Sequence, residues 1–184
     1  MKTTSIPVLL AAGAMAIASS TVAKAADAPE LSFSCQVREG VPTTIAQSVD
    51  GSAETPIFHW KAEALTNKTS SSPDELCNDV SQKLADYSVD RDLSNINIVG
   101  TAQAGLPVVC ANAAGENCSK VLFTLNKPED TSNKPDVLAG DVVDSILAQN
   151  LQPEKKEFST RGVQSISYNV DLLSLLFGSK FSIK

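Results

Sequence analysis

Four cysteines, Cys35, Cys77, Cys110 and Cys118, constrain this 184-residue chain more than any other feature. An even number in an oxidising compartment reads as two disulfides, with three connectivities open. Zinc fits poorly, because seven residues lie between Cys110 and Cys118 and the chain has one histidine, His59; zinc knuckles use tighter spacings and richer nitrogen or sulfur sets. A redox Cys-x-x-Cys does not occur.

The compartment is legible at the amino terminus. Lys2 precedes an apolar stretch from Ile6 to Ala18, and Ala23-Lys24-Ala25 has the small-x-small form that signal peptidase cuts. Residues 1–25 are therefore expected to be a removed export signal. The stretch is shorter than the roughly 20 apolar residues of a membrane span. Without Lys2 and Lys24, 13 of the 15 basic side chains remain against 21 acidic ones, a net charge of −8. Such acidity speaks against nucleic acid, whose binding needs clustered Lys and Arg. It speaks equally against simple electrostatic adhesion to anionic lipid.

Cys110 and Cys118 bracket a turn-like "AAGEN" between "LPVVC" and "CSKVLFTL", both rich in β-branched and aromatic residues. This predicts a hairpin with Cys110 facing Cys118 across an antiparallel pair, and Val109, Val121, Phe123 and Leu125 on one core face. Cys35–Cys77 follows by elimination. The chain-entropy model gives about 2.5 kcal/mol for the short loop and about 4 kcal/mol for the long one.

"LSFSCQV" alternates as a half-buried strand, and "TTIAQSV" and "IFHWKA" read as two more. "SSSPDELCNDVSQKLADYS" is the clearest helix. Ser72 is its N-cap, Pro73 its first residue and Glu75 the second half of a capping box, with Leu76, Val80, Leu84 and Tyr87 on one stripe beside Cys77. "NINIVGTA" is a fourth strand. A second helix, "DVLAGDVVDSILAQNL", has Val137, Leu138, Val142, Ile146 and Leu147 as its apolar side. "QPEKKEFSTRG" reads as a charged connection and "VQSISYNV" as a last strand. The tail "DLLSLLFGSKFSIK" reads as a short helix docked on the core, or as a partner or membrane contact through Leu172, Leu173, Leu175, Leu176 and Phe177.

The ordered set "FSCQVREGVPTTIAQ", "IFHW", "PDELCNDVSQKL" and "GLPVVCANAAGENCSKVLFTL" resembles the circadian oscillating protein family of cyanobacteria. The positions that carry the resemblance are Phe33, Cys35, Pro42, Thr43, Thr44, Trp60, Cys77, Val80, Ser81, Cys110, Cys118 and Leu125, over about residues 32–151. The resemblance implies an exported polypeptide associated peripherally with a membrane. It implies no catalytic residue, substrate or cofactor.

Reactive constellations are sparse. A nucleophilic triad would need His59 as its base, and no G-x-S-x-G elbow occurs. On a regular strand His59 shares a face with Ile57, opposite Phe58 and Trp60. Asp141 and Asp144 read as the wet side of the second helix. Asp90, Asp92 and Asn95 lack the glycine and terminal glutamate of a calcium loop. Asn67 and Asn117 match the glycosylation sequon by chance. Thr43 and Thr44 should point to opposite faces, or else form a polar ligand rim.

The expected fold is α+β: a twisted, mainly antiparallel sheet of five to seven strands with two principal helices, stapled by Cys35–Cys77 and Cys110–Cys118. Residues 26–151 form the body, and 152–184 a carboxy-terminal extension docked on it. No catalytic, cofactor-binding or metal residue is assigned. The expected role is a non-enzymatic exported domain in periplasm, thylakoid lumen or exterior, binding a protein partner or lying at a membrane-associated assembly. The alternatives are a carboxylate-based enzyme with a cleft invisible in sequence, and a thiol redox or sensor protein.

Overall fold

A computed structural model describes residues 31–90, 95–113, 118–128, 134–151, 155–160 and 163–177. Residues 1–25, where an export signal is expected, lie outside them with Asp92, Asn117 and residues 178–184, as do the side chains of Asp90, Asn95, Leu173 and Phe177.

Three strands, β1 (Leu31–Arg38), β2 (Val41–Ser48) and β3 (Glu54–His59), form one antiparallel sheet in that order. The two-residue turn Glu39-Gly40 has positive φ at both positions, the geometry that joins twisted antiparallel strands tightly. A second antiparallel sheet contains β4 (Asn95–Gln103), β5 (Leu106–Ala113), β6 (Lys120–Thr124), β7 (Lys155–Thr160) and β8 (Val163–Asp171), in the order β6-β5-β4-β8-β7. The helices are α1 (Ala62–Leu65), α2 (Pro73–Asp90), α3 (Pro135–Ile146) and α4 (Leu172–Phe177).

The α+β class, the two principal helices α2 and α3 and both disulfides are those read from the sequence. The strands, however, are divided between two sheets of three and five. After β3 the chain leaves through α1 and α2, so β4 starts a new sheet rather than extending the first. The stretch read as a charged connection contains β7. It is an edge strand of the five-stranded sheet. β8 lies between β4 and β7, with Tyr168 opposite Ile98 and Val170 opposite Ile96.

One hydrophobic cluster joins the two sheets. Trp60 sits at its centre, 5.3 Å from Phe58 and 5.4 Å edge-on to Phe123 of β6, spacings favourable for aromatic pairs. Tyr168 is also buried there, and its hydroxyl finds no hydrogen-bond partner among the described residues. Tyr168→Phe removes that desolvated group. We expect it to leave stability unchanged or raise it by about 1 kcal/mol in urea unfolding.

α2 begins as its sequence dictates. Ser72 Oγ accepts from the Glu75 amide, and Glu75 accepts in turn from the Ser72 amide at 2.8 Å. That backbone bond, with the Ser72 side chain, holds the Glu75 carboxyl below its usual pKa. The helix buries Leu76, Cys77, Val80, Ser81 and Leu84 and ties both sheets together. Cys77 is bonded to Cys35 of β1 (Cα–Cα 5.4 Å), while Lys83 Nζ donates to the Leu122 carbonyl of β6 at 2.7 Å. α3 crosses the five-stranded sheet at Gly100 of β4. A Cβ there would lie 2.6 Å from the Ala139 carbonyl carbon and 2.7 Å from the Gly140 nitrogen.

The cysteine hairpin forms, but its register differs from expectation. Cys110 stands opposite Val121, not Cys118, because the ladder that begins at Val108 and Thr124 sets the strands out of the expected register, and the shift after Val109 changes the pairing only from Leu122 to Val121. Cys118 precedes β6 in a positive-φ conformation and reaches Cys110 from the turn, at a Cα–Cα distance of 5.1 Å. Val109, Phe123 and Leu125 are buried as expected, Val121 only partly, and Leu122 joins the core through the bulge. Asn112 Oδ1 accepts from the Ser119 amide at 2.7 Å, and Tyr87 of α2 meets Ser119 Oγ at 2.6 Å.

Candidate functional site

The two adjacent threonines of β2 organise the two faces of the small sheet. Thr44 points inward. Its hydroxyl accepts from Trp60 Nε1 at 2.9 Å and from Ser81 Oγ at 3.2 Å, with the Cys77 sulfur at 4.0 Å. One hydroxyl thus satisfies β3's neighbour Trp60 and α2 together, in a fully buried place where an unmade hydrogen bond is costly. Thr44→Val keeps the shape but orphans the indole N–H and the Ser81 hydroxyl. We expect it to cost about 2 kcal/mol in denaturant unfolding, against less for Ser81→Ala, which removes one partner and leaves the Trp60 bond.

Thr43 points outward yet is also buried. Its hydroxyl donates to the Val41 carbonyl at 3.0 Å and lies 3.2 Å from His59 Nδ1. The ladder shifts between Thr44 and Ile45, so Thr44 pairs with Phe58 and Ile45 with Pro56. Ile57 is the residue left over. It enters the core instead of sharing an outward face with His59, and its carbonyl accepts from the Ala148 amide.

The outer face carries an open groove of about 1150 Å³. Its floor and walls include Val41, Ile45 and Pro56, with Leu147 beyond the end of α3; His59, Lys61 and Asp144 stand around it. An ion pair between Arg38 of β1 and Glu54 of β3 necessarily crosses β2, the strand between them. Gln36 extends it on one side and Gln47 on the other. Under this polar strap Ile45 is only 2% exposed. Val41, half-buried opposite Arg38, continues the apolar surface toward the rim.

His59 is half-buried, and its pKa is lowered, first by burial and then by the Lys61 charge, against an opposing pull from Glu39. The unfolded chain therefore binds this proton more readily than the folded one. Stability is retained above about pH 6.5 and lost as pH falls through the lower folded value. Urea titrations across pH 7.5 to 5 are expected to show this loss, and His59→Gln to remove its share of it.

The remaining candidates are placed as follows. Leu172 and Leu176 of α4 are buried, with α4 lying against β2, β3 and β4, while Leu175 is 37% exposed. Asp141 is exposed and Asp144 half-buried at the groove. Asn67 lies in the turn after α1. Among the described residues no helix is long and apolar enough to cross a membrane. All four cysteines are paired, which is consistent with an oxidising, exported location.

The sequence profile of the family described as "Circadian oscillating protein COP23" matches residues 32–176. The chain belongs to this family. The COP23 match runs beyond the body expected to end near residue 151, through β7 and β8 and into α4. No curated protein and no solved structure matches the chain. In this COP23 member, the residues that first suggested the family are mostly interior. Phe33, Trp60, Cys77, Val80, Ser81, Cys110 and Leu125 are buried along with Thr43 and Thr44. Sequence reasoning missed the groove because it is assembled from the β1–β2 turn, the end of β3 and the end of α3.

Proposed function

We propose that this protein is a non-enzymatic, exported binding domain that docks a protein partner in the groove on the outer face of its three-stranded sheet. The groove itself carries the reading. It joins an apolar floor to a charged rim and lies open along the protein surface, a shape that admits an extended polypeptide segment. His59 Nδ1 is engaged by Thr43, whose hydroxyl is fully buried and spent on the Val41 carbonyl, closed to a substrate, which supports binding over acyl transfer. Association with a membrane is then indirect, through the partner. α4 turns Leu172 and Leu176 into the core and leaves Leu175 as a single exposed apolar contact among the described side chains.

Fractionation of the native exported protein tests this. Moderate salt should release it from membranes, since a charged rim is screened. Val41→Glu, on the groove face opposite Arg38, should abolish cross-linking to its partner, whereas Val89→Glu, 85% exposed on α2, should not. Retention through salt, equal behaviour of the two variants, or hydrolytic turnover that His59→Ala removes would overturn it.

A further inference from the structure

Both contacts of the Thr43 hydroxyl are satisfied together by one tautomer of His59. The Thr43 hydroxyl has one proton and gives it to the Val41 carbonyl, so toward His59 it accepts, and Nδ1 carries the hydrogen. The ring's Nε2 is left as the acceptor. Since Thr43 is buried and pins Nδ1, gain of a proton falls on Nε2. An acceptor becomes a cationic donor while the Nδ1 bond persists.

The charges around the ring come from every neighbouring element. Arg38 and Glu54, from β1 and β3, neutralise each other in the strap. Glu39 in the β1–β2 turn attracts the imidazolium, and Asp144 on α3 has a partner of its own. Lys61, exposed two residues beyond His59, forms no ion pair among the described residues. It also raises the cost of charging the ring, a cost that a bound anion would offset.

We propose that this end of the groove is a carboxylate site for an acidic peptide side chain, with Lys61 as the permanent cation and His59 as a second donor recruited by acidification. The proposal rests on the docking reading above and names the chemistry of the docked segment. Linkage then requires that peptide binding tighten as pH falls and that bound peptide raise the His59 pKa.

The probe is acetyl-Ala-Glu-Ala-amide, with acetyl-Ala-Gln-Ala-amide as the uncharged control, followed by NMR of the His59 ring and the Lys61 amide in the full exported chain. The glutamate peptide should bind about fivefold more tightly at pH 5 than at pH 7.5, the scale of one partly exposed ion pair. Saturating peptide should move the His59 titration to higher pH, and the glutamine peptide should do neither. Lys61→Gln should weaken binding at both pH values, and His59→Gln should remove the pH dependence alone. Equal affinity at the two pH values, equal binding of the control, or no saturable shift would overturn the site. Those outcomes leave partner cross-linking sensitive to Val41→Glu, so they are distinguishable from failure of the docking reading.

Discussion

Gly100→Ala is expected to destabilise the protein by about 3 kcal/mol, at the upper end of ordinary overpacking costs. At an unstrained strand position, alanine in place of glycine is normally neutral or favourable, because it restricts the unfolded chain. The sign reverses here because the added methyl would meet backbone atoms of Ala139 and Gly140 at 2.6 to 2.7 Å, and backbone cannot rotate away as a side chain can. α3 would have to lift from β4. In doing so it would loosen Val142, Val143 and Ile146, which are fully buried. Urea unfolding followed by far-UV circular dichroism measures the loss. A stabilising or silent substitution would mean that α3 does not cross the sheet at this point.

Removing the Cys35–Cys77 bond has the other large effect. The bridge closes a loop of 42 residues in sequence separation, against 8 for Cys110–Cys118. The double variant Cys35→Ala/Cys77→Ala should lose about 4 kcal/mol, and Cys110→Ala/Cys118→Ala about 2.5 kcal/mol, on the chain-entropy model. The order is more informative than either value. The long bridge joins β1 of the small sheet to α2, which also holds β6 of the large one through Lys83. Its loss should therefore loosen the contact between the sheets, visible as weaker near-UV dichroism of Trp60. The short bridge secures a hairpin that Asn112, Ser119 and Tyr87 already hold, so its loss should spare that signal.

Local signals in the sequence were dependable where one short segment contained the whole cause. Ser72, Pro73 and Glu75 specify the start of α2 within four residues. The count and setting of the cysteines led to the two bridges that form. Division into two sheets depends instead on where the chain goes after β3, which alternation within strands does not encode. The bulge at Ile57 inverted the facing expected for that side chain, since one extra residue breaks a period of two. The spacing of the cysteines likewise did not give the strand register, which pairs Cys110 with Val121 and leaves Cys118 ahead of β6. β7 was read as a connection because an edge strand with charge along it lacks an apolar face.

The candidate site was legible only in fragments. Thr43, Thr44, Trp60, Ser81 and His59 each stood out singly. The hydroxyl of Thr44 receives groups 16 and 37 residues away, a convergence that exists only after folding. Thr43 was weighed as either strand filler or ligand rim. It proves to be neither a bare surface residue nor an ordinary core one, because it is the buried anchor that orients His59 at the groove.

Peptide mapping of the purified protein without reductant, with a thiol titration in denaturant, tests the frame on which both faces depend. Peptides joined through Cys35–Cys77 and Cys110–Cys118, with no titratable thiol, are the predicted result. Free thiols, or any other pairing of the four sulfurs, would contradict it, because α2 would then no longer be locked where Thr44, Trp60 and Ser81 meet.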